Sequence, residues 1–290
     1  LYLKGRSIVN TDPASLRESA GFLEQSVTLD ANFTEAWALL SMQLSRLYVN
    51  GNRDPAVSRR AKEALDRAVA LSPDGARSRL AKARYLFLVA GESNNARMEM
   101  DQALRSSPND AEVLAYAGTL DLDAGNLGTS LSNLERARAS DPRSYNTLYA
   151  LMQVYAFLGR QADAIAAGSA AVALAPGNMQ PVEYLAMVHL GNADTAGARE
   201  VVRKAIASGI SVPSLAAYFA GYQEVSWVLE ESQRQLVFRM TPAAFDNDRA
   251  WWGQSLATAY WQQGDTARAR VYADSALGPS AAQVQAAPAD

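Results

Sequence analysis

The chain carries one histidine, His189, and no cysteine. Thiol catalysis, disulfides and Cys-ligated zinc are thereby excluded, and one imidazole is too few for the usual zinc sites. A Ser-His-Asp triad would need His189 exposed between a serine and a carboxylate. Nothing around it demands that, and it reads as a partly buried packing residue. Asp121-Leu122-Asp123-Ala124-Gly125 has the opening spacing of a calcium loop, but the third acidic ligand and the closing glutamate are missing. No Gly-rich phosphate loop of the Walker A type is present. Carboxylate pairs for glycoside hydrolysis need a set separation, and a solvated helix face accounts for the acids more simply. The expectation is a chain with no catalytic centre, metal or cofactor; a hydrolase with its site in a groove is the remotest reading.

Composition narrows the remaining classes. The 290 residues are 49% hydrophobic and 20% charged, with a net charge of −3. That is ample apolar material for a core and unlike a disordered tail. No clustered basic excess points to nucleic acid. No run of about 18 apolar residues forms a membrane span, and no signal peptide is evident, so no direct membrane insertion is expected of this stretch. The first residue is Leu1 rather than Met, and Leu1–Arg6 reads as the middle of a helix, as in a piece of a longer protein.

What must position any functional residue is a repeat. Ala61, Ala96, Ser130, Ala164 and Ala198 are small residues spaced by 35, 34, 34 and 34. Ala68, Ala103, Ala137, Ala171 and Ala205 follow seven residues later in the same register, and Pro73, Pro108, Pro142 and Pro176 form a third series. Two small residues seven apart share one helix face, where they let a neighbouring helix come close. Each proline then ends that helix and begins a turn. A second amphipathic stretch, such as Asp110–Ala124, fills the rest of the period. Each period is therefore helix A, turn, helix B, turn.

Period, small residues and proline together resemble the tetratricopeptide repeat. Trp37, Leu40, Ser41 and Leu44 match its helix A pattern best, followed by Leu114, Ala117, Gly118 and Asp121, and by Leu148, Leu151, Met152 and Tyr155. The unit opening near Ala76 departs from it, with Arg79 and Lys82 at apolar places. Lys82 and Asp121 either pair across repeats or reach water separately. The resemblance implies an all-α fold: a right-handed superhelical solenoid of antiparallel helix pairs, about seven to eight hairpins in all. Residues 1–33 are read as a partial N-terminal repeat, 34–211 as the regular array, 212–247 as a degenerate repeat and 248–290 as a C-terminal repeat whose end is open. Extra residues near Tyr48–Val57 read as a longer loop. Both ends also resemble repeat regions attached to bacterial serine/threonine kinases and winged-helix regulators, on Tyr2–Arg6, Phe22–Gln25, Leu29–Phe33 and Trp227–Trp252.

In such arrays helix A lines the concave groove. The resemblance then places Arg77, Arg84, Tyr116, Thr119, Asn146, Tyr149, Gln153, Tyr184 and Met187 on that face. The three tyrosines would form a ladder, one per repeat, offering apolar area and a polar tip. Asn146 and Gln153 can bond a peptide backbone, and Arg77 and Arg84 can take a carboxylate. The other reading is that the tyrosines fill space between helices. The Lys/Asn clamp by which some members hold a chaperone tail is not matched, since the comparable places hold Leu80, Glu112, Arg84 and Tyr116. Trp227, Trp251, Trp252 and Trp261 either fill the degenerate junction or line an aromatic pocket. The expected function is a non-catalytic scaffold for a protein or peptide partner within a bacterial signalling or assembly protein. The alternative is a sensing domain for a small molecule or peptide, coupled to an effector outside this sequence. The compartment is open: bacterial cytoplasm, or the outer side of a membrane-anchored parent.

Overall fold

The computed structural model describes residues 1–8, 13–51, 53–222, 225–245 and 247–286. They form helices and no strands. In order these are α1 Tyr2–Ser7, α2 Pro13–Leu29, α3 Thr34–Asn50, α4 Pro55–Leu71, α5 Ala76–Tyr85, α6 Ser93–Ser106, α7 Ala111–Asp123, α8 Leu127–Ser140 and α9 Tyr145–Phe157. There follow α10 Gln161–Leu174, α11 Met179–Gly191, α12 Thr195–Ala207, α13 Val212–Ala220, α14 Glu231–Val237, α15 Arg249–Gln262 and α16 Thr266–Ala286. A π-helical turn, Leu86–Ala90, prolongs α5, and 3-10 turns at Ser226–Val228 and Pro242–Phe245 flank α14. The fold is an all-α solenoid of antiparallel helix pairs.

Two compact units divide the chain, Leu1–Arg160 and Gln161–Asp290. In the first, α1 packs on α2, α3 on α4, α5 on α6 and α7 on α8, each as a hairpin. The A helices also pack in sequence, α3 on α5, α5 on α7 and α7 on α9, whereas α4, α6 and α8 make no comparable contact with one another. A layer that is tight on one side and splayed on the other must curve, so the A helices lie on the inner side of this unit. Its core runs continuously through Leu16, Leu23, Leu44, Leu80, Met100 and Val113. In the second unit α11 pairs with α12, α13 with α14 and α15 with α16, and α11, α13 and α15 again pack in order.

The small-residue series are what make the hairpins close. Ala61, Ala96 and Ser130 are fully buried in the first unit, as are Ala164 and Ala198 in the second. A Cβ built on Gly118 would stand 2.5 Å from the Leu134 side chain, so α7 and α8 touch nearly backbone to side chain. The crossing carries its own hydrogen bond. The Ser130 hydroxyl donates to the Gly118 carbonyl at 2.7 Å, Ser41 to the Ala61 carbonyl at 2.9 Å and Ser19 to the Gly5 carbonyl at 2.8 Å. Pro73, Pro108, Pro142 and Pro176 all sit exposed in the turn after helix B. After helix A the chain turns through a left-handed residue, Gly125 at φ 77° and Gly159 at φ 72°. There the amides of Asn126 and Arg160 donate back to the carbonyls of Asp121 and Tyr155, both at 2.8 Å.

Two expectations need correction. The extra residues near Tyr48–Val57 are not mainly a loop: α3 runs to Asn50 and α4 starts at Pro55, each with 17 residues. Leu47 is buried against the core and holds the last turn of α3 in place. Pro55 then fits the first turn of α4, capped by the Asp54 carboxylate accepting from the Ala56 amide at 2.8 Å. Nor do Lys82 and Asp121 pair with each other. Lys82 bonds Glu99 at 2.6 Å, and Asp121 bonds Arg97. Both partners belong to α6, the B helix that lies between α5 and α7 in sequence and packs on both. It neutralises each charge in turn.

Candidate partner-binding face

The residues expected on the groove fall into separate environments. Arg77, at the start of α5, is held by Asp110 at 3.0 Å and by Glu112, both at the start of α7. This ion pair ties consecutive A helices and leaves Arg77 as a link between repeats. Arg84, two turns along α5, has no ion pair among the described residues. Its guanidinium lies over the Tyr116 ring of α7, 4.8 Å from the centroid. The Arg84 Nε and the Tyr116 hydroxyl are both buried without a hydrogen-bond partner. Burial drives the Tyr116 hydroxyl well above the usual phenol range, so it stays protonated. Tyr116 thus stacks with an arginine rather than with another tyrosine.

Thr119 is half-buried on α7 and donates its hydroxyl to the Ala115 carbonyl at 3.0 Å, within its own helix. On α9, Asn146 is exposed and Gln153 half-buried. Tyr149 stacks on Tyr145, centroids 5.9 Å apart and rings 13° from parallel. In the second unit Tyr184 and Met187 are half-buried on α11. Burial, then the Glu183 charge, raises the Tyr184 hydroxyl above the phenol range. The Glu183 carboxylate accepts from Tyr218 of α13 at 3.0 Å, so two A helices of this unit are joined through a tyrosine.

Arg46 was missed by groove positions alone. It lies near the end of α3, and burial first, then the Arg84 charge, pulls its guanidinium down to about 10. The signal available in the sequence was an arginine within an otherwise apolar stretch, Leu44-Ser45-Arg46-Leu47. His189 proves half-buried, with Nδ1 2.8 Å from an Asp194 carboxylate oxygen. That carboxylate also accepts the Gly197 amide at 2.8 Å and so caps α12; among the described residues no serine bonds the imidazole. Asp121 of the calcium-like run is buried against Arg97. Among the described residues no group of three or more His, Asp and Glu could hold a metal, and no helix is long and apolar enough to cross a membrane.

The tryptophans divide. Trp251 meets Phe245 edge-on at 5.6 Å and covers Gly221, and Trp252 donates to the Met240 carbonyl at 2.9 Å while meeting Tyr272 at 5.3 Å. These two fill the irregular junction left by the short helices α13 and α14. Trp227 and Trp261 remain 40% and 68% exposed and line a cleft of ≈ 520 Å³ with Arg234, Phe238 and Gln262.

Residues 58–111 and 117–178 match the family model of the tetratricopeptide repeat. Comparison with curated protein sequences gives no match. Among solved structures, the human IFIT1 dimer with PPP-AAAA is similar at a TM-score of 0.61 and 17% identity, over 93% of this chain and 69% of that one. PilW, described as a widely conserved type IV pilus biogenesis factor, is similar at a TM-score of 0.50 and 17% identity, over 75% of this chain and 92% of that one. At these identities the likeness is one of fold. The chain thus has the fold of the tetratricopeptide repeat proteins, a typically non-catalytic helical scaffold used generally to bind proteins and peptides.

Proposed function

We propose that the chain is a non-catalytic scaffold that holds a partner protein or peptide along the inner face of its A helices, as part of a bacterial signalling or assembly protein. The observation that carries this reading is the ordered packing of α3, α5, α7 and α9, which makes one continuous inner layer in the first unit. On that layer aromatic and polar side chains stay partly accessible: Arg84, Tyr116, Tyr149, Gln153 and the exposed Asn146. Tyr184 and Met187 are the corresponding candidates on α11. Rigid aromatic area beside amide and guanidinium donors is the composition that binding surfaces favour. The division into 1–33, 34–211, 212–247 and 248–290 is part of the same proposal.

A photocrosslinking amino acid placed at Asn146 or Tyr149, on the inner face, and at Arg59 on the B helix α4 tests it in cells of the source organism. Discrete crosslinked proteins are expected from the inner-face positions and none from Arg59. Equal labelling from both faces, or none from Asn146 and Tyr149, refutes it. The cleft between Trp227 and Trp261 favours a second reading, a small-molecule sensor. A metabolite that quenches the exposed tryptophans and raises the melting temperature would support that reading. The IFIT1 structure contains an oligonucleotide, so a 5′-triphosphate oligoribonucleotide belongs in the same titration; with a net charge of −3 and no basic cluster, no binding is expected.

A further inference from the structure

The short turn Val225–Leu229 is buried on both sides of Trp227, and Trp227 itself is left 40% exposed. Val225, Ser226, Val228 and Leu229 fix the backbone that displays it. Trp261, near the end of α15, is 68% exposed, although Leu256 and Tyr260 of the same helix are buried. Tryptophan is on average a well-buried side chain, so two displayed on anchored backbone in one unit call for a reason. A hydrogen bond holds them near each other. The Gln262 side-chain amide donates to the Ser226 hydroxyl at 2.7 Å. Gln262 follows Trp261 and Ser226 precedes Trp227, so the chain neighbours of the two tryptophans are bonded to one another.

The space that both tryptophans line is the cleft of ≈ 520 Å³, a size that suits a small ligand. Its apolar lining includes the buried Ala220 and Val237, and Phe238, whose ring packs on Tyr260 with centroids 4.6 Å apart. Glu231 and Arg234 are the charged side chains on its wall. They cancel, since Arg234 donates to one Glu231 oxygen through Nη2 at 2.7 Å and through Nε at 3.1 Å. Hydrogen bonds from Gln235 first and Arg234 second hold the Glu231 carboxyl below its ordinary value, so the pair is ionised. An anion would meet the carboxylate and a cation the guanidinium, and neither sign of charge gains. The ligand that suits these walls is neutral, with a flat C–H face and hydroxyls around its edge. The face of an indole ring is negative and attracts C–H groups made positive by neighbouring oxygens. A carboxylate, a guanidinium and an amide each present paired polar atoms to adjacent hydroxyls.

We propose that the cleft lined by Trp227 and Trp261 binds a neutral carbohydrate, with a pyranose ring stacked on indole and its hydroxyls bonded by Glu231, Arg234 and Gln262. This rests on the second reading above, the small-molecule sensor, and names its ligand class. The Gln262–Ser226 bond and the Arg234–Glu231 pair order the polar groups before a ligand arrives, which lowers the cost of binding.

The test follows the indole Nε1–H resonances of the full chain by NMR. Five tryptophans give five signals, assigned from single phenylalanine replacements. The methyl β-glycosides of glucose, galactose and N-acetylglucosamine are titrated, with sorbitol, methyl β-glucuronide, choline and benzyl alcohol as comparisons. At least one of the three glycosides should give saturable shifts of the Trp227 and Trp261 signals and leave Trp37, in the first unit, unmoved. Sorbitol has the hydroxyls without the ring face and should give none. Trp261→Leu should weaken glycoside binding about tenfold, the loss of one aromatic contact, and leave the melting temperature in place because the side chain is mostly exposed. Glu231→Gln leaves Arg234 unbalanced and should move the preference from the glucoside towards the glucuronide. No saturable shift with any of the three glycosides overturns the proposal, as does binding that sorbitol matches or that Trp261→Leu leaves intact. Tighter binding of the glucuronide or of choline than of every glycoside by the unaltered chain overturns the neutral assignment. Shifts with benzyl alcohol and none with the glycosides overturn the carbohydrate while a small-molecule site, and with it the sensor reading, stands. Glycoside binding that leaves the crosslinked products from Asn146 and Tyr149 unchanged supports the site and counts against the sensor.

Discussion

Arg97→Met should destabilise the first unit far more than Asp121→Asn, although the two side chains form one ion pair. The Asp121 side chain is 1% exposed, while that of Arg97 is 40% exposed. Remove the arginine and, among the described residues, the carboxylate keeps only the Asn133 amide, donating at 3.3 Å. An uncompensated buried charge of this kind costs about 3–5 kcal/mol. Remove the negative charge instead and Arg97 still has Asp101 at 3.0 Å and water; the loss is then about 1–2 kcal/mol, that of a hydrogen bond to a charged group. The double variant Arg97→Met, Asp121→Leu should recover most of the deficit, since an apolar pair asks for no solvation. Repeat arrays open locally, so one global unfolding energy is a poor measure. Amide hydrogen exchange across α6, α7 and α8, the three helices that meet at Asp121, gives the local value. If Arg97→Met costs no more than Asp121→Asn by that measure, the buried carboxylate is not what the arginine serves.

Three further outcomes follow from the turns and crossings. Gly118→Ala should lower the melting temperature: the new methyl meets Leu134 at 2.5 Å, and overpacking of about 1–3 kcal/mol outweighs a helix-propensity gain of about 1 kcal/mol. Ala193→Gly should raise it by about 0.5–1 kcal/mol of stability, because Ala193 holds φ 55° where the matching turns have Gly125 and Gly159; no gain in thermal unfolding would mean the strain is relieved elsewhere. The Asp194 carboxyl is held below its ordinary value of 3.8 by the Gly197 amide first and by His189 second. Its contribution is therefore complete above that value and lost as the pH falls through the lowered one, so in Asp194→Ala the acid-unfolding curve of α11 and α12 should flatten below about pH 3.8.

Periodicity carried the array into view because its cause is steric and local. A residue such as Ala96 or Ser130 must be small wherever two helices cross backbone to backbone, and that demand recurs every 34 residues. The connection after α3 was misread for the opposite reason. An insertion has no period, and Asn50, Gly51 and Asp54 look like a loop until Leu47 and the Pro55 start show how far each helix extends. The partners of Lys82 and Asp121 were equally hidden. Spacing places both on A helices, but Glu99 and Arg97 sit on the intervening B helix, and which face of α6 meets which neighbour depends on the tertiary crossing.

The proposed binding face is legible only as a set of positions, and positions cannot show what each side chain meets. Local rules are obeyed widely in the first unit: crossings are small, α4, α7 and α9 carry side-chain caps, and the charges on α5 and α6 mostly find partners. Where such consistency breaks, function is the usual reason. Arg77 and Arg84 look alike in sequence, two arginines seven residues apart on one helix. The structure makes them opposites. Arg77 is saturated by Asp110 and Glu112 and joins two repeats. Arg84 is turned toward a ring face with its Nε unmet, beside a tyrosine hydroxyl in the same state. The first contributes to holding the layer together whether or not anything is bound. The second has no acid beside it among the described residues and joins α5 to α7 through a ring face instead of a charge, a difference set by the tertiary crossing and not by the register the two arginines share.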